Sequence, residues 1–399
     1  MKSKRLYGVI AFTLCASTAT ISYARIKLIT LPVREHVEIQ LENEHTTIIE
    51  EERIVPLRKG NNDIDFSWHN TSIRPETIVF RVLEDDSSLT TNVLSVSYPP
   101  NESALTWTLS ASHNGSARVR ITYAIERLDK EYHYIARADQ GESKMHLMQY
   151  IRVNNQSGES FHDANMNTGS GKSVILPMGL DETQEFLKQS YSAVAIDKTY
   201  TFSASELGYR NRAQDKLNVF MHYQLHNDKA HNLGEQSLAP GKFRIYQQDK
   251  KGTAVFVGED WGKYTAKEGE ASLFIGQARD IVVKRTIERQ KRQRINGNLY
   301  NIDAVVKYEI ENFKDKPVKL IIEESIVHLR NEVFSPSHSY KEGNIEWEIG
   351  DDTSFAKKPL KKRTSSQKIA YQITLPARTG ANKLVKLEKK LNINFKNEW

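Results

Sequence analysis

The chain has 399 residues, of which 39% are hydrophobic and 27% charged, so it carries enough apolar material for a folded core and is not a disordered polymer. That length exceeds one ordinary core and implies two domains or three. The formal net charge of +6 is a modest excess that calls for no nucleic-acid partner, and none is expected.

The first 24 residues have their own logic. Lys2, Lys4 and Arg5 precede a short, mostly apolar run from Leu6 to Ala16, and Ser22-Tyr23-Ala24 supplies the small residues a signal peptidase needs. They are read as a secretory signal peptide cleaved after Ala24, which gives an expected location in the periplasm or outside the cell. The run is shorter than the ~20 residues that span a bilayer, so no transmembrane segment is expected in the mature chain. Loss of its three positive charges leaves a net charge of +3. The single cysteine, Cys15, lies inside this segment. Leu14 and Phe12 stand where a lipoprotein signal would have a small residue and Leu. Without that cysteine the mature chain has no disulfide framework, thiol nucleophile or thiolate zinc site.

From Arg25 the pattern is period two, the spacing that puts side chains on one face of a strand. Val37, Ile39 and Leu41 alternate, and Ile54-Val55-Pro56-Leu57 leads into the turn Lys59-Gly60-Asn61-Asn62. Ile64 and Phe66 follow, then Ile78, Phe80 and Val82; His113-Asn114-Gly115 closes a first unit, residues 25–115. A second unit, 116–399, opens with Val119, Ile121 and Tyr123. It continues through Tyr132 and Tyr134, Ile151 and Val153, and Val219, Met221, Tyr223 and Leu225. Residues 240–285 are the clearest stretch. Phe243 and Ile245, Val255 and Val257, Leu273 and Ile275, and Ile281 and Val283 form four apolar pairs separated by turn residues, an antiparallel meander with one buried face. Ile345, Trp347 and Ile349 alternate again, as do Ile369, Tyr371 and Ile373. Helical spacing is confined to Asp181–Gln189 and Thr286–Arg294, and the second reads equally as a long strand. The expectation is an all-β protein of two antiparallel β-sandwich-like domains with little helix.

No group of residues makes a convincing reactive centre. Gly169-Ser170-Gly171-Lys172-Ser173 resembles the end of a phosphate loop, but Met166 occupies the position of the earlier glycine, and Val174-Ile175-Leu176-Pro177 reads as a strand where a helix is needed. His222, His226 and His231 are excluded as a metal site, since residues four apart on a strand lie ~13 Å apart; they read as solvated histidines on a polar face. The adjacent carboxylates Asp85-Asp86, Glu259-Asp260, Glu323-Glu324 and Asp351-Asp352 alternate faces, whereas acid–base work needs convergence across ~5–10 Å. Glu259 and Asp260, after the Gly258 turn and beside Trp261, are the pair a hydrolase would use, but turn chemistry is their expected role. Two basic runs, Lys284–Arg294 and Lys357–Arg363, read first as solvated faces and second as attractors of an anionic polymer. Leu391–Trp399 alternates and ends in an aromatic, like the last strand of an outer-membrane barrel, but the other strands are short and cut by charges. No catalytic, cofactor-binding or metal-binding residue is assigned, and no cofactor is expected.

Several segments have a familiar order and spacing: Val119-Arg120-Ile121-Thr122-Tyr123, Val153-Asn154-Asn155-Gln156-Ser157-Gly158-Glu159, Pro240-Gly241-Lys242-Phe243-Arg244-Ile245-Tyr246-Gln247, Phe256-Val257-Gly258-Glu259-Asp260, Ile275-Gly276-Gln277-Ala278-Arg279-Asp280-Ile281 and Ile310-Glu311-Asn312-Phe313-Lys314. From about residue 116 onward the chain resembles the conserved-hypothetical domain of secreted bacterial proteins related to the mucoidy-inhibitor family. It departs in two respects. Glu131-Tyr132-His133-Tyr134 lacks the Trp that often precedes the Tyr of the second strand, and the long coiled-coil insertion of many relatives is absent. The resemblance implies a β-rich envelope protein and brings no catalytic residues. The sequence thus leads to an exported, non-enzymatic binding or structural protein of the bacterial cell envelope, its partner an envelope protein or an anionic polymer. A hydrolase of envelope glycan or peptide and an outer-membrane β-barrel are the alternatives.

Overall fold

The computed structural model describes residues 29–41, 43, 46–85, 89–168, 173–206, 214–334, 345–355, 358–378 and 385–398. The signal-peptide segment with Cys15, Asp86, the glycine-rich loop 169–172, Lys357 and Trp399 lie outside them. Strand accounts for 67% of the structure and helix for 6%, so the chain is all-β. In chain order the early strands are β1 (Ile29–Thr30), β2 (His36–Gln40), β3 (Thr47–Leu57), β4 (Gly60–Ser67), β5 (Val79–Asp85), β6 (Thr91–Ser97), β7 (Ala104–Ala111) and β8 (Gly115–Ile125). Next come β9 (Leu128–Ala138), β10 (Lys144–Asn155), β11 (Phe161–Asn167), β12 (Ser173–Met178), β13 (Glu182–Ser203), β14 (Gln214–His226), β15 (Gly241–Gln248) and β16 (Ala254–Gly262). The last are β17 (Glu270–Asn296), β18 (Leu299–Asn312), β19 (Val318–Ser325), helix α1 (Ile326–Val333), β20 (Trp347–Ile349), β21 (Lys368–Leu375) and β22 (Val385–Glu398).

The chain forms two compact units, one comprising the residues up to Asp129 with Asn154–Glu182, the other Lys130–Val153 with Thr183–Trp399. The division expected between 115 and 116 therefore falls elsewhere. β8 belongs to the first unit because it pairs antiparallel with both β3 and β5. The segment after residue 154 returns to that unit because β11 pairs parallel with β2, and Glu159 meets Arg34 at 2.5 Å. The same Arg34 contacts the fully buried Glu51, which Arg53 also approaches at 2.9 Å. A lone buried carboxylate would be costly; two guanidinium partners offset that cost.

The first unit is a sandwich of two sheets, β1-β4-β7-β6 and β12-β11-β2-β3-β8-β5. Aromatic side chains alternating inward join them: Phe66 lies 5.8 Å from Tyr123, and Phe80 lies 4.6 Å from Trp107. The second unit is one sheet in the order β16-β15-β9-β10-β13-β14-β17-β18-β22-β20, with β19 joined to β13 and β21 to β19. It holds two cores. Tyr134, Leu147, Val194, Tyr223, Phe243, Ile245 and Leu273 line one, where the strands from β15 to β17 curl around a common interior. Tyr308, Ile322, Leu329, Tyr371 and Phe395 belong to the other, between β17, β18 and β22 and the pair β19 and β21 with α1.

Both stretches with helical spacing are strands: Asp181–Gln189 enters β13, and Thr286–Arg294 is the far half of β17. The second offers only Ile287 and no apolar helical stripe, so ladder bonding to β18 decides its conformation. The one α-helix among the described residues lies elsewhere. Ser325 caps it by accepting from the His328 N–H at 3.3 Å, and Ile326, Leu329 and Val333 bury its inner face. Among the described residues no helix is long and apolar enough to cross a membrane.

Candidate functional site

The most developed surface lies on the outside of the curled part of the second unit. Along β15, Phe243 and Ile245 point inward, and Phe243 stacks on Tyr134 of β9 with ring centroids 4.0 Å apart. Period two then sends Lys242, Arg244 and Tyr246 outward. Directly opposed residues in a ladder share a face, so these three stand beside His133, Ile135 and Arg137 of the parallel neighbour β9. On the other side stand Trp261, Glu259 and Phe256 of β16. Tyr150 and Arg152 of β10 and Glu185 of β13 continue the row.

Its charges are paired in an uneven way. Glu185 accepts from Arg152 at 2.9 and 3.2 Å, and its other oxygen lies 3.2 Å from His133 Nε2. The His133 ring stacks on Tyr150 at 5.1 Å. Burial pulls the His133 pKa below its usual value, and the fields of Arg152 and Arg244 add to this against Glu185, so the ring is neutral at physiological pH. Lys242 donates to Glu259 at 2.8 Å and sits 5.9 Å from the Trp261 ring centroid. Arg244 is directly opposite Glu259 in the register, yet Glu259 is engaged by Lys242, and among the described residues Arg244 has no ion pair. Trp261 is 69% exposed, far more than a large aromatic side chain with a core role. The face therefore offers a flat apolar ring beside two cations. It has no nucleophile with a base.

The carboxylates singled out from sequence do not converge. Glu259 turns to Lys242, whereas Asp260, on the other face of β16, accepts from the Phe274 N–H of β17 at 2.7 Å and from the Trp261 N–H at 2.8 Å. Asp260 is a stitch: β16 ends the strand order, and this side chain ties it to β17 where Gly258 approaches the Ile275 backbone. Glu323 pairs with Arg363 at 3.1 Å, while Glu324 points inward and is held by Arg285 through two 2.9 Å bonds. Both border a depression of about 350 Å³ beside α1 that also includes Ser325, Gln367 and Lys368. Asp352 meets Arg289 at 2.6 Å.

The histidines differ from one another. His226 and His231 stack at 4.7 Å because the turn after Asp228 folds the chain back, and Asp228 holds His231 Nδ1 at 2.6 Å. His222 is not simply solvated: burial is the main cause of its lowered pKa, with Arg363 second. Among the described residues no three His, Asp, Glu or Cys side chains are grouped to hold a metal ion. Of the basic run on β17, Lys284 lies 3.9 Å from Glu309, Arg285 is buried, and Arg289 meets Asp303 and Asp352. Arg292 rests on the Tyr300 ring at 5.0 Å. Sequence reasoning missed the row from Glu185 to Trp261, since its members come from five strands spread over about 130 residues. The one local sign was Trp261 itself, an aromatic residue beside the carboxylates Glu259 and Asp260.

No protein-family model matches the chain, and no curated protein matches it.

Proposed function

We propose that the protein is an exported, non-enzymatic binding protein of the bacterial cell envelope, and that an acidic glycan lies across the outer face of β9, β15 and β16. One observation carries this reading: Trp261 is exposed beside Lys242, with Arg244 two positions further along β15 and without an anionic partner among the described residues. An indole plate stacks on the C–H face of a sugar ring, and a guanidinium takes a carboxylate in a forked pair. The period-two strands, the N-terminal segment and the envelope family that the sequence resembles support the same reading. A hydrolase built on Glu259 and Asp260 draws no support from their geometry, since one is engaged by a lysine and the other by two backbone N–H groups. A membrane barrel draws none from a face that carries Glu185, Arg152, Lys242, Arg244 and Glu259 where lipid tails would lie.

The test is a titration with oligogalacturonate, using neutral oligosaccharides of the same length as controls. The acidic oligomer is expected to quench tryptophan emission and to bind more weakly as salt rises. Trp261→Ala and Arg244→Gln should each weaken binding by about tenfold. Equal affinity in the parent chain and both variants would show that the glycan does not use this face. Sequencing the secreted chain should find Arg25 at its N-terminus.

A further inference from the structure

Sheet edges are exposed rows of N–H and C=O groups, and natural sheets blunt them with charge, proline, bulges or shortness. Each edge described here carries a charge or a proline or is short, β21 with Lys368 among them, except β6, whose one blunting feature is a single bulge. In the first unit β1 has two residues, β12 carries Pro177, and β5 carries Arg81. In the second unit β20 has three residues, and β16 bears Glu259 and the Asp260 stitch to β17. β6, Thr91-Asn92-Val93-Leu94-Ser95-Val96-Ser97, has no charge and no proline, and six of its seven residues are exposed.

Its apolar residues are also on the wrong side for a solvated edge. The register sets Val93 opposite Leu109 and Val96 opposite Trp107, both buried, so Val93 and Val96 lie on the core-facing side of their sheet. They are nevertheless 45% and 46% exposed, because the second sheet does not extend over them. Leu94, the extra residue of the bulge between Val93 and Ser95, is 54% exposed, and Tyr98 just past the strand is exposed as well.

We propose that β6 pairs antiparallel with β6 of a second copy of this chain across a twofold axis, joining two four-stranded sheets into one of eight. The strand is complementary to itself. It has no charge, so no like charges meet across the axis, and it has no charge with which to select a charged foreign peptide. A twofold between Leu94 and Ser95 sets Val93 of each copy opposite Val96 of the other, on the one face that lacks cover. The outward ladder groups between Val93 and Val96 and the uncovered valines are satisfied together.

The purified chain is examined by analytical ultracentrifugation from about 1 to 200 μM, the range in which an interface of modest area associates. Its mass should rise toward that of a dimer. Val96→Lys adds a charge to a residue already half exposed, so the fold is kept while the dissociation constant rises at least ~10-fold. Ser95→Cys, next to the axis, in the chain that starts at Arg25 and so lacks Cys15, should oxidise to a covalent dimer that the cysteine-free parent does not form. Asn61→Cys, on the inner strand β4, is the control and should not cross-link. A chain that stays monomeric throughout, a dimer untouched by Val96→Lys, or protection of β6 by an added apolar peptide with no self-association would each overturn the proposal.

Discussion

The buried ion cluster of the second unit makes a quantitative test of how the fold is held. Arg285 donates to both oxygens of Glu324 at 2.9 Å and to Glu332 at 2.7 Å, and the Tyr308 hydroxyl also donates to Glu324. Glu324 is 1% exposed and Tyr308 fully buried. Burial works to lower the Arg285 pKa, and the Glu324 carboxylate overrides it and holds the guanidinium charged. Glu324→Ala leaves that charge with the half-buried Glu332 alone and removes the acceptor of Tyr308. Breaking one side of such a pair costs about 3–5 kcal/mol. For a unit of this size that lowers the melting temperature by ~6–20 °C. Arg285→Met leaves the opposite charge stranded and should cost a similar amount. The triple change Arg285→Met, Glu324→Leu and Tyr308→Phe removes both charges and the orphaned hydroxyl, so it should recover most of the loss. Urea unfolding and thermal melts of the four chains decide it. A loss below ~1 kcal/mol for Glu324→Ala, or a triple variant as unstable as the two single changes added together, would refute the claim that desolvation dominates this cluster.

Five further outcomes follow from the fold. Burial raises the pKa of Tyr123, Tyr134, Tyr223 and Tyr308, so the folded state keeps protons that the unfolded chain releases near pH ~10. Stability is complete below that pH and should fall above it by up to ~1.4 kcal/mol per pH unit for each tyrosine, read as a dropping urea midpoint between pH 9 and 11. His133 and His222 have lowered pKa values, so their contribution is complete above pH ~6.5 and is lost as pH falls from there toward the folded values; His133→Gln should flatten part of that slope. Gly158→Ala should destabilise by more than ~1 kcal/mol, because φ is +85° and the added Cβ would lie 2.1 Å from the Asn70 carbonyl oxygen. Gly252→Ala, with φ +80° but nothing within 4 Å, should cost only the backbone strain of ~1 kcal/mol. Asp260→Ala should lose ~1–2 kcal/mol of stability and leave oligogalacturonate affinity unchanged, whereas loss of binding at constant stability would contradict its role as a stitch.

Period two made the strands legible because burial acts on each residue separately: Phe243 and Ile245 face the core wherever β15 lies in the sheet. The order of strands is a different kind of information. β15 lies against β9 in parallel, and nothing between Tyr134 and Phe243 in the sequence specifies that two inward rings will stack at 4.0 Å. The row from Glu185 to Trp261 depends on that order, so sequence could supply its members but not bring them together. The domain division was misplaced for the same reason, since β8 carries the same alternation whichever sheet it joins. Helix α1 had the spacing of Ile326, Leu329 and Val333 and a serine cap, yet the apolar run of β19 leads straight into it and masks the change of period. β6 shows the limit from the other side. Val93 and Val96 are three residues apart, so plain alternation would set them on opposite faces; the bulge at Leu94 brings both to the core side, but the opposing sheet stops short of them. Alternation reports the direction in which a side chain points and is silent on whether anything in the same chain lies there. An apolar pattern on an uncharged edge that its own fold leaves uncovered is therefore where the proposed twofold pairing of β6 would complete the burial.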